Sequence, residues 1–523
     1  MSGRNGATWG SFSTLPLLGW GDGVSIGNRP VTANWQEASG CAVAELAANA
    51  GNIWHVSDAA ANRVMAQRIS DAAGRGEWPL EQALDAGADF EDVAIRTLSG
   101  VSYLYIGDFG DNGAARTTIN IYRCIEPTIT GSDGSLLTVN VEKIVCAYVN
   151  PPTPEGGGGG LGRDAEVLLV DTNGDMYIVT KRIATAQLWK LAHAASYSGT
   201  QTLEYLGTIT TPALTQNATG SNGGYYTGGT INLAGNLIFL HSYRELYCFQ
   251  RPSGMSIFAA LQGPGNIVGA CHQPTTYRAT TPTPHTDNPQ WEGVCADASN
   301  HLYTTSEYLT AFGHGAGNHP TFKYLKQSRP VIEASFQDGV FPTAGYAGTR
   351  DVYIHRNNGG AEDSTNFGTN IQLIVDYDSA NVQRSAFLLW DVSSIPANAT
   401  VVGAEIQLNI EVEGNYFHAY RVIGISWVEG TVTYATIGHM PLLDGAEIAT
   451  TPEFTCIGWV GLTGIARYQL TAATAQLWVT TPASNKGLYL WGGVTDGNGQ
   501  RFTSREGATA AQRPKLIIRY TLP

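Results

Sequence analysis

The sequence predicts an all-β chain whose first part is a β-propeller and whose last part is a separate β domain. Three observations carry this: short strand-like runs recur from end to end, a degenerate unit repeats through the first ~325 residues, and the composition shifts near Ser328. The runs YLYI at 103–106, MYIV at 176–179, LIFL at 237–240 and LIIRY at 516–520 are β-branched or aromatic and end in Gly, Asn or Asp, as strands do. Amphipathic helical periodicity is nearly absent, and one short helix is expected over 78–86.

Each repeat unit opens with an acidic residue before a small apolar strand, and an aromatic-cored strand follows after a turn. The units are QEASGCAV at 36–43 with NIWHV at 52–56, DFEDVAI at 89–95 with YLYIGD at 103–108, DAEVLLV at 164–170 with MYIVT at 176–180, and WEGVCA at 291–296 with HLYTT at 301–305. A fifth, TGGTINL at 227–233 with LIFL at 237–240, keeps the rhythm without the glutamate. Radially repeated four-stranded sheets fit this pattern. The spacing exceeds that of compact propeller repeats, so six blades are expected, one of them too diverged to read. Insertions such as 151–160, with its five consecutive glycines, lengthen the units. That glycine run lacks the Gly-Lys-Ser/Thr of a phosphate loop.

Composition narrows the function. Charged residues make up 14% of the 523, and Gly (62) and Tyr (24) are frequent. The charge is low for a soluble protein and suits strands with neutral polar outer faces, at an extracellular or virion surface. A net charge of −14 speaks against a nucleic-acid partner. The sequence contains no ~18-residue apolar stretch that would insert in a membrane, and no signal peptide is visible at the start. The seven cysteines form no CxxC pair and read mostly as buried free thiols.

Four glutamates, Glu37, Glu91, Glu166 and Glu292, hold one repeat position and should converge on the propeller axis. Carboxylates brought together must be protonated, hydrogen-bonded or neutralised. Two readings stand: a ring around a hard cation such as Ca²⁺, or a latch in which each glutamate accepts backbone amides of the next blade. No organic cofactor is expected. The loop from Gly107 to Asn112 reads as an Asx turn, with Ca²⁺ as the alternative. No nucleophile elbow, HExxH or kinase signature occurs. His241, His285, His301, His314 and His319 are scattered, and Arg116, Arg123, Arg182 and Tyr226 are the candidates for an anionic sugar.

The segments DFEDVA (89–94), YLYIGDFGDN (103–112), IYR (121–123) and DAEVLLV (164–170) resemble a group of bacterial, mostly exported propeller proteins with little assigned activity, over residues 30–310. Beyond Ser328, TRDVYI (349–354), RSAFLLWDVSSIP (384–396), TVVGAEIQL (400–408), WVEGTVTY (427–434), FTSRE (502–506) and RPKLIIRY (513–520) resemble the jelly-roll module known by its Asp-Asn-Arg-Leu-Arg-Glu signature. Only the end of that signature survives, at Ser504, Arg505 and Glu506. The resemblance implies domains at 1–328 and 329–523, the second a jelly-roll β-sandwich related to polysaccharide-binding modules. There Trp427, Trp459, Trp478 and Trp491 are stacking candidates, with Trp427 and Trp491 reading as core. Tyr416, Phe417 and His418 read as a hairpin tip that touches ligand, and Arg505 with Glu506 as an internal ion pair.

The expected function is a binding or adhesion protein of a phage-like particle or cell surface. It would recognise polysaccharide or cell-surface glycan through the jelly roll, with the propeller as a second platform and other particle proteins as further partners. The alternatives are a secreted polysaccharide lyase or hydrolase with a catalytic propeller, and a purely structural virion or fibre component.

Overall fold

The computed structural model describes residue 20 and residues 23–523, except 31–34, 36–37, 58–61, 82–83, 86, 112, 114, 130–138, 149–162, 182–185, 210–225, 243–244, 264–265, 271–290, 307–319, 413, 415–416, 441, 443–444, 457–462 and 493–498. Within them, residues 24–324 form five four-stranded antiparallel sheets. Their inner strands are Gly40–Val43, Phe90–Leu98, Ala165–Val170, Tyr226–Ile231 and Trp291–Ala296, so each of the five legible repeat units is one blade. Successive inner strands adjoin, and the fifth adjoins the first. The ring therefore closes with five blades among the described residues, and the expected sixth has no place in it. The long spacing reflects insertions between strands, not a missing unit.

Closure uses both ends of the propeller sequence. The N-terminal strand Val24–Asn28 pairs antiparallel with Pro320–Tyr324 and becomes the outer strand of blade five. Blades two and three are joined at their rims, where Gln201–Leu203 runs parallel to Cys146–Tyr148. The helix expected over 78–86 is corrected at its start: Gly74–Pro79 is the outer strand of blade one. Trp78 is buried there, with its ring 4.8 Å from that of Trp54. Burying two indoles outweighs a weak local helix preference.

Eleven strands follow, hydrogen-bonded into one sheet that folds into two packed layers, continuous where Gln372–Ser379 pairs with Val382–Trp390. One orders Ile332–Gln337, Lys515–Thr521, Thr400–Val412, Gln500–Thr503 and Gln372–Ser379, with Gly464–Leu470 along Thr400–Val412. The other holds Thr349–Asn357, Val382–Trp390, Leu488–Trp491, Phe417–Val422 and Ile448–Cys456. Their alternate residues meet in one core, Ile406, Leu408, Leu516 and Ile518 facing Leu388, Leu490 and Ala419. Burial of each such aliphatic side chain is worth ~1.5–3 kcal/mol. The expected boundary at 328/329 falls between Pro320–Tyr324 and Ile332–Gln337.

Candidate functional site

The inner strands of four blades share a defect. The pairing register slips between Phe90 and Asp92, Ala165 and Val167, Tyr226 and Gly228, and Trp291 and Val294. The extra residues of these bulges include Glu91, Glu166, Thr227 and Glu292. A bulge leaves one residue out of the ladder and re-aims its side chain, so the repeat delivers its acidic position to the axis by a repeated backbone irregularity. Glu91 hydrogen-bonds Glu166, and all three glutamates are buried. Glu37 lies outside the described residues.

Lys181 follows the second strand of blade three and forms an ion pair with Glu166. Burial pulls its pKa down, but Glu166, Asp164, Glu91 and Glu292 outweigh that, and the net shift is upward. Glu166 is raised to about 7, first by burial, then by Asp164, against the pull of Lys181 and Glu91. Lys181 thus supplies positive charge to these carboxylates. Among the described residues no group of three or more His, Cys, Asp or Glu side chains is disposed to hold a metal.

The latch falls one residue further along than expected. Asp92 accepts from its neighbour Val93 N at 2.8 Å, from Leu168 N in blade three at 2.9 Å, and from Gly229 N in blade four. Blade one completes the contact: a Cβ on Gly40 would lie 2.6 Å from Asp92 Oδ1. Burial holds the Asp92 carboxyl well above the usual range. The acidic pair in DFEDVA marked this residue, but the repeat drew the eye to Glu91. Retaining and inverting glycosidases hold their carboxyls ~5 Å or more apart, so the hydrogen-bonded Glu91–Glu166 pair is too close to flank a glycosidic bond.

Among the described residues, the remaining propeller candidates are engaged within the fold. Asp108 is fully buried and accepts from Asp89 N (3.0 Å) and Asn120 Nδ2 (2.8 Å), with Arg116 Nη1 at 2.8 Å. Asp111 accepts from Ala115 N and Arg116 N, four and five residues on, in place of the bond two residues on that an Asx turn makes. Arg123 pairs with Glu142 at 2.6 Å, and His241 and Tyr226 are fully buried. Asn112, Arg182, His285, His314, His319 and the glycines at 156–160 lie outside the described residues.

In the second domain the hairpin-tip reading is corrected. Phe417 opens a strand, and its buried ring sits against Phe502 (5.2 Å), Tyr468 (5.6 Å) and Phe454 (6.1 Å). His418 is buried beside Trp491 and Tyr420. Neither side chain is at the surface, and Tyr416 lies outside the described residues. Trp478 is buried, Trp427 and Trp491 are half-buried, and Trp459 is not described.

Arg505 gathers acids from four places in the sequence. Its Nε lies 2.6 Å from Glu429 and 2.9 Å from Glu506, its Nη1 3.8 Å from Asp338, and its backbone N donates to Asp351 at 2.7 Å. Burial, with Glu506 and Glu429 nearby, holds Asp351 well above the usual carboxyl range, and burial raises Glu506 despite Arg505.

Sequence reasoning missed the outer face of the first sandwich sheet. Because Ile406, Leu408 and Leu516 face the core, strand alternation sends Gln407 and Lys515 the other way. In register, Gln337, Lys515, Gln407 and Arg467 line up across four strands, about 14 Å at the usual strand spacing; Gln337 is buried and donates from Nε2 to Arg513 O at 2.7 Å, while Lys515, Gln407 and Arg467 are half-buried. Glu405 beside them meets Arg467 Nε and Arg519 Nη2, each at 3.6 Å. At the end of the row Phe341 is 41% exposed, with Lys515 Nζ 4.8 Å from its ring centroid. An exposed aromatic ring beside a row of amide, ammonium and guanidinium groups can stack on a sugar and hydrogen-bond its hydroxyls.

Fold and sites together define an all-β chain that joins a five-bladed propeller to a two-sheet sandwich. Residues 342–520, the sandwich domain, match the model of carbohydrate-binding module family 96. No curated protein matches the chain. Among solved structures, an exo-β-1,3-galactanase from Phanerochaete chrysosporium aligns over 95% of this chain and 99% of its own at 11% identity and a TM-score of 0.33. An aldose sugar dehydrogenase from Streptomyces coelicolor aligns over 58% and 98% (10%, 0.30), and a gluconolactonase from Xanthomonas campestris over 60% and 83% (13%, 0.27). Overlaps this loose lend no function to this chain.

Proposed function

We propose that the chain is a surface-exposed glycan-binding protein whose sandwich domain holds a polysaccharide along Lys515, Gln407 and Arg467, against the ring of Phe341. The observation that carries this is the three-strand row of polar side chains beside an exposed aromatic. The family match over 342–520 supports carbohydrate as the ligand class. The uncharged polar composition supports a cell or particle surface as the setting, with the propeller as a second platform.

A glycan array with the full chain, with and without EDTA, tests the reading. Specific binding that Phe341→Ala and Gln407→Ala weaken supports it. Binding that neither variant alters would move the site elsewhere, and a blank array would sink the glycan reading. Loss with EDTA would add a bridging cation.

A further inference from the structure

Cys41 and Cys295 sit on the inner strands of blades one and five, where the ring closes. Both are 1% exposed, and their sulfurs are 3.2 Å apart. The strands meet backbone to backbone there: a Cβ on Gly293 would lie 2.9 Å from Cys41 N and 3.0 Å from Gly40 C. The sulfurs need to approach by only about 1.2 Å to reach bonding distance. Cys124, Cys146 and Cys248 are also buried thiols, but none is recorded beside another cysteine among the described residues.

We propose that Cys41 and Cys295 form a disulfide that fastens the propeller's closing seam on its inner side, opposite the outer-strand closure by Val24–Asn28. The oxidant is a low-molecular-weight disulfide. One cysteine thiolate attacks a sulfur of the reagent and releases one thiol. The other cysteine then attacks the mixed disulfide and releases the second thiol. Two protein S–H bonds and one reagent S–S bond are exchanged for one protein S–S bond and two released S–H bonds. Burial holds the Cys295 thiol well above its ordinary range, which keeps the nucleophilic thiolate scarce in the closed ring. The bond therefore forms while the seam is still open, during folding.

The test folds the full chain in the presence of oxidised glutathione, then alkylates it in denaturant and maps its peptides without reduction. The expected result is one linked pair containing Cys41 and Cys295, lighter by two hydrogens than the free peptides. The melting midpoint should fall by several degrees on adding dithiothreitol. That response should vanish in Cys41→Ala and persist in Cys248→Ala. Recovery of both cysteines as singly alkylated peptides overturns the cross-link. A linked pair with a midpoint indifferent to dithiothreitol overturns its role in fastening the ring.

Discussion

The propeller axis and the Arg505 cluster solve one problem in two ways. Each sets a cation among several carboxylates. At the axis the cation is Lys181, 8% exposed, and three of its acids arrive by repetition, from one bulged position in blades two, three and five. In the sandwich it is Arg505, its side chain 25% exposed, and the acids come from unrelated stretches at 338, 351, 429 and 506. A lysine is a compact point charge that several acids can share from different directions, whereas a guanidinium is a fork that fixes its partners' positions. The axis is held by attraction between buried charges, and the sandwich cluster by directed bonds around a partly exposed guanidinium.

Lys181→Met breaks the comparison most severely. It strands buried carboxylates, so denaturant melts should show a loss of ~3–5 kcal/mol, with part recovered when Glu166→Gln is added. Arg505→Met in the same assay should cost less, ~1–3 kcal/mol, because water reaches that cluster. The third test is pH. Folded Glu166 keeps its proton up to about 7, against 4.5 when unfolded. The folded chain therefore binds more protons between those values, and stability falls as pH rises through the window. Melts from pH 5 to 7.5 should show that decline, and Glu166→Gln should flatten it by about 1–2 kcal/mol. Phe341→Ala should move stability by no more than ~0.5 kcal/mol while weakening glycan binding about tenfold, worth ~1.4 kcal/mol.

The two regions also differ in how far the sequence reveals them. Repetition is visible in a single sequence, so the five repeat units and the glutamate position could be read before any fold was known, although their long spacing suggested a sixth blade. Lys181 has no counterpart in the other units and stayed hidden among strand-flanking residues. Asp92 was in plain sight, but which of two adjacent acids faces a neighbouring blade depends on a bulge, a property of pairing partners and not of local sequence. Arg505 and Glu506 are adjacent and could be paired on sight, whereas Asp338, Asp351 and Glu429 reach them only through tertiary contacts. The hairpin-tip reading reached too far along the chain: Phe417 already belongs to the strand. The Gln337, Lys515, Gln407 and Arg467 row depends on the register of four strands far apart in sequence, which no local pattern encodes.

The N-terminal strand in blade five has a consequence for synthesis. Val24–Asn28 leaves the ribosome long before its partner Pro320–Tyr324, which is made only after four whole blades. Chains fold as they are made, and exposed strand edges invite the wrong neighbours. Until Tyr324 emerges, the nascent propeller is an open arc with a waiting strand at one end. A chain stalled or cut before that point would carry most of its blades and still lack a closed ring.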